Sequence, residues 1–197
     1  MHHAIKLLLT LTIFIAALFI GPNASAQNSE GFVNLINELD LSRWNIIGNA
    51  NWVIGKGVIE SDKPYGFLVS TEVYKNLEIR AEFWAEPNTN SGIFIRCQNP
   101  QQLSQSNCYE INIFDARPEQ AYATGSIVDV AKVDPVPKAS GRWNTMEIIA
   151  NGSHFKVTMN GVVTVADGQD SKFTEGPIGL QSAGGIIKFR KLEIKPL

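Results

Sequence analysis

The side chains able to do chemistry are few. The 197-residue sequence has three histidines and two cysteines, and His2 and His3 stand at its very start. A Ser-His-Asp triad or a histidine-ligated metal would have to be built on His154 alone. That leaves carboxylates and arginines. Arg96 and Glu110 each lie in a run of alternating apolar residues, Ile93, Ile95 and Cys97 in the first, Tyr109, Ile111 and Ile113 in the second. Period two puts the apolar set on one face of a strand, so Arg96 and Glu110 share the other face of two neighbouring strands. Matching apolar to apolar pairs Arg96 directly opposite Glu110. A carboxylate beside a guanidinium can serve as a base next to a group that stabilises a developing anion. The same pair is also an ordinary cross-strand ion pair, which contributes little.

The elements that must position these residues are strands. From Gly31 onward no long segment has a 3.6-residue apolar period, whereas alternation recurs, as in Leu77, Ile79, Ala81 and Phe83 against Glu78, Arg80, Glu82 and Trp84. Asn151-Gly152 and Asn160-Gly161 are hairpin turns joining Trp143 to Ala150, His154 to Met159 and Val162 to Val165 into an antiparallel meander. Pro177 to Gln181 and Ile186 to Ile194 complete the series, and the prolines fall between runs. The sequence therefore predicts an all-β domain of two packed antiparallel sheets. The longest irregular stretch runs from Ala116 to Gly141 and holds a candidate short strand at Gly125 to Val130. Long loops of this kind often carry function. Parity puts His154 outward on a hairpin and puts Trp84 on a non-core face.

Residues 7 to 20 form a fourteen-residue apolar run behind Lys6, with Ala24-Ser25-Ala26 at its exit. The run is short for a membrane span, which needs about 20 residues. It has the form of a secretory signal peptide. Residues 1–26 are expected to be removed before Gln27, leaving residues 27–197 as one β-sandwich domain, periplasmic or secreted, with no membrane insertion. Removal takes away Lys6 and no acid, and shifts the formal charge from −2 to −3. Nothing here is basic enough to suggest a nucleic-acid partner. In an oxidising compartment Cys97 and Cys108 are expected to bridge. The bond would sit diagonally or at the base of the polar loop between them and contribute about 2–3 kcal/mol.

Several blocks, in order, carry a resemblance: GFVNLINELDLSRW, WVIGKGVIES, NSGIFIR, YEINIFD, TGSI, GRWN, MNGV, GPIGLQ and the closing IIKFRKLEIKPL. Over about residues 31 to 197 the series resembles the 3-keto-disaccharide hydrolase family. The resemblance implies a concanavalin-like jelly-roll sandwich with a concave sheet carrying the site. It also implies an activity on glycosides whose sugar already bears a 3-ketone. The ketone acidifies the neighbouring C–H, a base removes that proton, and the glycosidic oxygen leaves by elimination from the enolate. Water then adds back, or the unsaturated product is released. A carbohydrate substrate of this kind presupposes an upstream sugar 3-dehydrogenase.

By that resemblance Glu110 matches the family's YExQ-type position and Arg96 its NSGIxxR-type position, as base and enolate stabiliser. Asn112 stands where the family carries glutamine and is a candidate sugar ligand. Asp115, at the end of the same strand, is an acid, a sugar ligand or a turn cap. Gln181 is a candidate substrate ligand in a stretch where the family carries an acidic residue or histidine, and this chain has neither. Trp84 could stack a sugar ring, and Lys132 in the long loop could meet a substrate oxygen. No organic cofactor is expected. A divalent metal stays open without any visible ligand cluster. Ordinary glycoside hydrolysis needs two carboxylates, and the Glu110 strand offers no second beside the first. The competing reading is a non-catalytic carbohydrate-binding sandwich, because folds of this type host both roles.

Overall fold

The computed structural model describes residues 30–36, 41–62 and 64–197; the expected signal peptide lies outside them. Among the described residues, thirteen strands form two antiparallel sheets. The larger sheet contains β1 (Val33–Asn34), β3 (Val53–Gly55), β4 (Val58–Ser61), β6 (Leu77–Ala85), β9 (Trp143–Asn151), β10 (His154–Met159), β11 (Val162–Gln169) and β13 (Ile187–Pro196). Its order is β11-β10-β9-β6-β13-β4-β3, with β1 also on β13. The smaller sheet has the order β2-β5-β12-β7-β8, from β2 (Trp44–Gly48), β5 (Gly66–Ser70), β7 (Ser91–Ile95), β8 (Tyr109–Ile113) and β12 (Gly179–Ser182). This is the expected two-sheet sandwich of jelly-roll type.

Alternation decides which face is core. In β6, Leu77, Ile79, Ala81 and Phe83 are buried and the residues between them are half-exposed. Facing them across the interior are Leu68, Ile93, Ile95, Tyr109, Ile111 and Leu180 of the smaller sheet. The meander follows the expected order. The loop at Asn160-Gly161 has positive φ at both residues, 49° and 80°, as a two-residue type I′ turn requires. The first turn is displaced by one residue: Asn151 pairs with His154, so Gly152 and Ser153 form its loop.

In β7 and β8 every residue is buried, on both faces. One face meets the core. The other lies under chain that the sequence left irregular. Segment 125–128 runs beside β8, with Val128 N–H donating to Glu110 O, Asn112 N–H to Ser126 O and Gly125 N–H to Asn112 O. The candidate strand at Gly125 to Val130 is thus not a full strand. It is an extended edge bridged at Ile111–Ile127, then turned back by the Ile127–Ala131 bridge.

Candidate functional site

The outer face of the smaller sheet carries Glu110 and Asn112 from β8, Gly92 and Phe94 from β7, Gly179 and Gln181 from β12, and Phe67 and Val69 from β5. The register fixes this set: Phe94 lies opposite Glu110, Gly92 opposite Asn112, Gly179 opposite both Phe94 and Val69, and Gln181 opposite Phe67. Phe67, Val69, Phe94, Cys97, Leu103 and Cys108 form a second apolar cluster there, separate from the main core. The Cys97–Cys108 disulfide closes the β7–β8 loop at its base, and that loop folds back over the face. A side chain at Gly179 would collide with Leu103.

Glu110 is 6% exposed, and no hydrogen bond reaches its carboxyl among the described residues. Burial pushes that carboxyl up, the Arg117 charge opposes the shift, and the Asp129 charge adds to it, with the result near 7. An ionised carboxylate is costly to bury without donors, so this group exchanges its proton in the neutral range. Tyr65, just before β5, packs edge-to-face on Phe67, the residue opposite Gln181, and feels the Glu110 charge. Burial holds its phenol above its ordinary value, so at neutral pH it is a proton-bearing donor. Gln181 keeps a buried side-chain oxygen with no partner. Glu110, Gln181 and Tyr65 therefore share one face in that order across the sheet, a titratable carboxyl, an amide and a phenol.

Arg96 does not join them, and this corrects the expected pairing. The β7–β8 register is two residues from the one that apolar matching gave: Phe94 lies opposite Glu110. Strand β7 ends at Ile95, and Arg96 has φ of 53°. That left-handed residue reverses the alternation. Cys97 turns to the outer cluster and Arg96 to the interior side, where it is 1% exposed. Its guanidinium donates to Lys75 O at 2.8 Å, Gly152 O at 2.7 Å, Phe173 O at 3.3 Å and Asn76 Oδ1 at 3.3 Å, and lies over the Phe155 ring. It ties loops together and cannot reach an enolate at Glu110.

Other expected ligands are also committed elsewhere. Asn112 is fully buried and its amide N–H donates to Tyr122 O at 2.6 Å, which anchors the long loop to β8, while its Oδ1 is buried without a partner among the described residues. Asp115 accepts from Thr124 Oγ1 at 2.6 Å, from Ala139 N–H and Ser140 N–H, and from Ser140 Oγ. Burial pushes its carboxyl up, but these hydrogen bonds outweigh burial and hold it below the usual carboxylate range. It organises the loop, with Oδ2 taking three of these four hydrogen bonds. Trp84 is on the other sheet, opposite Trp143 and under Lys188, away from Glu110. Lys132 is exposed, beyond the Ile127–Ala131 turn, with no contact to Glu110. His154 pairs with Asp167 on the outer hairpin at 2.8 Å. Among the described residues no group of three or more His, Cys, Asp or Glu side chains could hold a metal.

Three residues near Glu110 escaped the sequence. Tyr65 has the parity of Phe67 and Val69, so reading β5 as a strand would have found it. Arg117 and Asp129 sit in the irregular stretch and carry no periodic signal.

A jelly-roll sandwich with a lone buried carboxyl on its sheet face, which also carries an amide and a tyrosine, is a carbohydrate-active architecture. The comparisons bear this out. The chain belongs to the 3-keto-alpha-glucoside-1,2-lyase-like domain family, whose model matches residues 31–195. Among solved structures it is similar to two candidate glycosyl hydrolases from Parabacteroides distasonis. The first is 25% identical with a TM-score of 0.70, covering 84% of this chain and 99% of that one. The second is 19% identical with a TM-score of 0.76, covering 85% and 94%. A carbohydrate-binding module from Bacillus subtilis shares the fold at 16% identity and a TM-score of 0.62, covering 78% and 95%. A search of curated proteins found no match.

Proposed function

We propose that the chain is an exported enzyme that cleaves 3-keto-glycosides, with Glu110 as the base. The observation that carries the reading is the buried Glu110 carboxyl, without a hydrogen bond among the described residues and near 7, on the face it shares with the apolar Phe67–Phe94 cluster. A base with that affinity suits a C–H acidified by a neighbouring ketone. Glu110 takes the proton from the carbon between the ketone and the anomeric centre. The electron pair moves onto the ketone oxygen as an enolate. Its return breaks the bond from the anomeric carbon to the leaving oxygen, and that oxygen leaves with a proton from a donor. Release of the unsaturated ketone is a lyase outcome; addition of water across the new double bond is a hydrolase outcome. The Gln181 amide takes the stabilising role that the resemblance gave to Arg96, and Tyr65 supplies the proton to the leaving oxygen. The disulfide fits an oxidising compartment, and among the described residues no helix is long and apolar enough to cross a membrane.

The test is aglycone release from a 3-keto-glucoside. Wild type should turn it over, and Glu110→Gln should lose turnover while still binding the ligand. Because Arg96 is withdrawn from the face, Glu110 has no hydrogen-bonded cation. That favours, as the second reading, a carbohydrate-binding module without catalysis. Binding without turnover by wild type would establish it.

A further inference from the structure

A cleft of about 340 Å³ opens between the tip of the β7–β8 loop and the start of β5, lined by Ile47, Tyr65, Phe67, Gln101, Gln102 and Leu103, among others. We infer that it holds the leaving group of the substrate, a ring with a flat apolar face and polar edges. This deepens the 3-keto-glycoside reading and rests on it.

Continuity with Glu110 comes first. Tyr65 belongs to both places: it lines the cleft, and its ring packs on Phe67, the residue opposite Gln181 on the face that carries Glu110. From β8 to β5 there are three strand steps of about 4.8 Å, roughly 14 Å in all. A sugar ring whose acidified carbon lies at Glu110 must therefore send its anomeric substituent either along this face or off it. Along the face the way leads past Gln181, whose buried oxygen lacks a partner, to Tyr65.

The lining is the second argument. Tyr65 is 55% exposed, with its ring edge-to-face on Phe67 at 5.4 Å, and Phe67 is edge-to-face on Phe94 at 5.2 Å. An exposed ring backed by a second that is itself packed on a third is a stacking platform that loses little freedom on binding. The opposite wall is held in shape before any ligand arrives. The disulfide closes its base, Asn107 Nδ2 donates to Gln102 O, Ser104 N–H to Asn107 Oδ1, and Gln101 N–H to Asn99 Oδ1. Those bonds use the backbone of Gln101 and Gln102 and leave both side-chain amides exposed without a partner among the described residues. An apolar platform facing free amides suits a second pyranose or an aryl aglycone, and is wasted on a methyl group.

The experiment measures binding to Glu110→Gln, which keeps ligands intact, by calorimetry. Its probes are methyl 3-keto-glucoside, p-nitrophenyl 3-keto-glucoside and a 3-keto-disaccharide. At least one large ligand should bind about tenfold or more tightly than the methyl glycoside, and the arm that does so identifies the leaving group as aryl or sugar. Adding Gln101→Ala and Gln102→Ala should cost that ligand about tenfold, two hydrogen bonds of ordinary strength, and leave the methyl glycoside unchanged. In the Glu110 background, the same pair of changes should leave methyl 3-keto-glucoside turnover unchanged. Equal affinity for all three probes, or equal loss on all three, overturns the cleft. Wild-type turnover of the methyl glycoside without any size preference overturns the cleft alone. A size preference seen with these ligands and with their unoxidised counterparts, but without turnover of any ketone, overturns the reaction alone.

Discussion

The Glu110 side chain lies across Gly92 of the neighbouring strand: a methyl group on Gly92 would meet Glu110 Cγ at 3.2 Å and Oε1 at 3.3 Å. Gly92 has no left-handed backbone requirement, so its missing side chain matters for space alone. The bare backbone lets the carboxyl lie flat along the sheet face toward Gln181 instead of standing up from it.

Gly92→Ala should therefore fold normally and displace the carboxyl. Expected is a fall in kcat/KM on a 3-keto-glucoside of about tenfold to a hundredfold, the usual cost of misplacing a reacting group by about an ångström. Thermal melting should move little. Unchanged kinetics would remove Glu110 from the reaction.

The Glu110 carboxyl titrates near 7 because burial disfavours its charge. If it is the base, kcat/KM rises as pH climbs through about 7 and levels off above. Arg117 lowers this affinity and Asp129 raises it. Arg117→Gln should move the rising limb to higher pH, and Asp129→Asn should move it lower. A rate profile measured from pH 5 to 9 on all three proteins checks the signs.

The same burial has a stability consequence. The folded value near 7 stands above the ordinary 4.5, so between those values the folded state binds more protons than the unfolded one. Stability then falls as pH rises through that window, by about 3 kcal/mol in total, and stays reduced above it. Glu110→Gln removes the penalty. It should raise stability at pH 8 by up to that amount and change it little at pH 4, read by urea denaturation at both.

Arg96 should behave in the opposite way. Its guanidinium satisfies three backbone carbonyls and Asn76, and each charged hydrogen bond contributes about 1.5–3 kcal/mol. Arg96→Met should cost several kcal/mol at any pH between 5 and 9. In protein that stays folded in the cold, the Glu110 rate profile should keep its midpoint. A shifted midpoint with full stability would return Arg96 to the site.

The two-sheet sandwich could be read from period-two alternation and the Asn-Gly turns, because those are local properties: side chains alternate wherever a strand runs, and a positive φ is cheapest at Asn and Gly. Glu110 was legible for the same reason, since parity alone puts it on the face away from Ile111. Arg96 was not. One left-handed residue at the end of β7 inverts parity from that point on, and nothing in NSGIFIR distinguishes an arginine that continues a strand from one that ends it. Asn112 was placed on the right strand, whereas Asp115 lies in the turn beyond its end, and only the course of residues 116–141 decides that both hold a loop. Tyr65 and Gln181 come to the face that carries Glu110 on strands of one sheet that are far apart in sequence. Sequence set which residues could face outward. Tertiary structure alone set which of those faces meet, because register and loop cover depend on contacts between segments that no local pattern encodes.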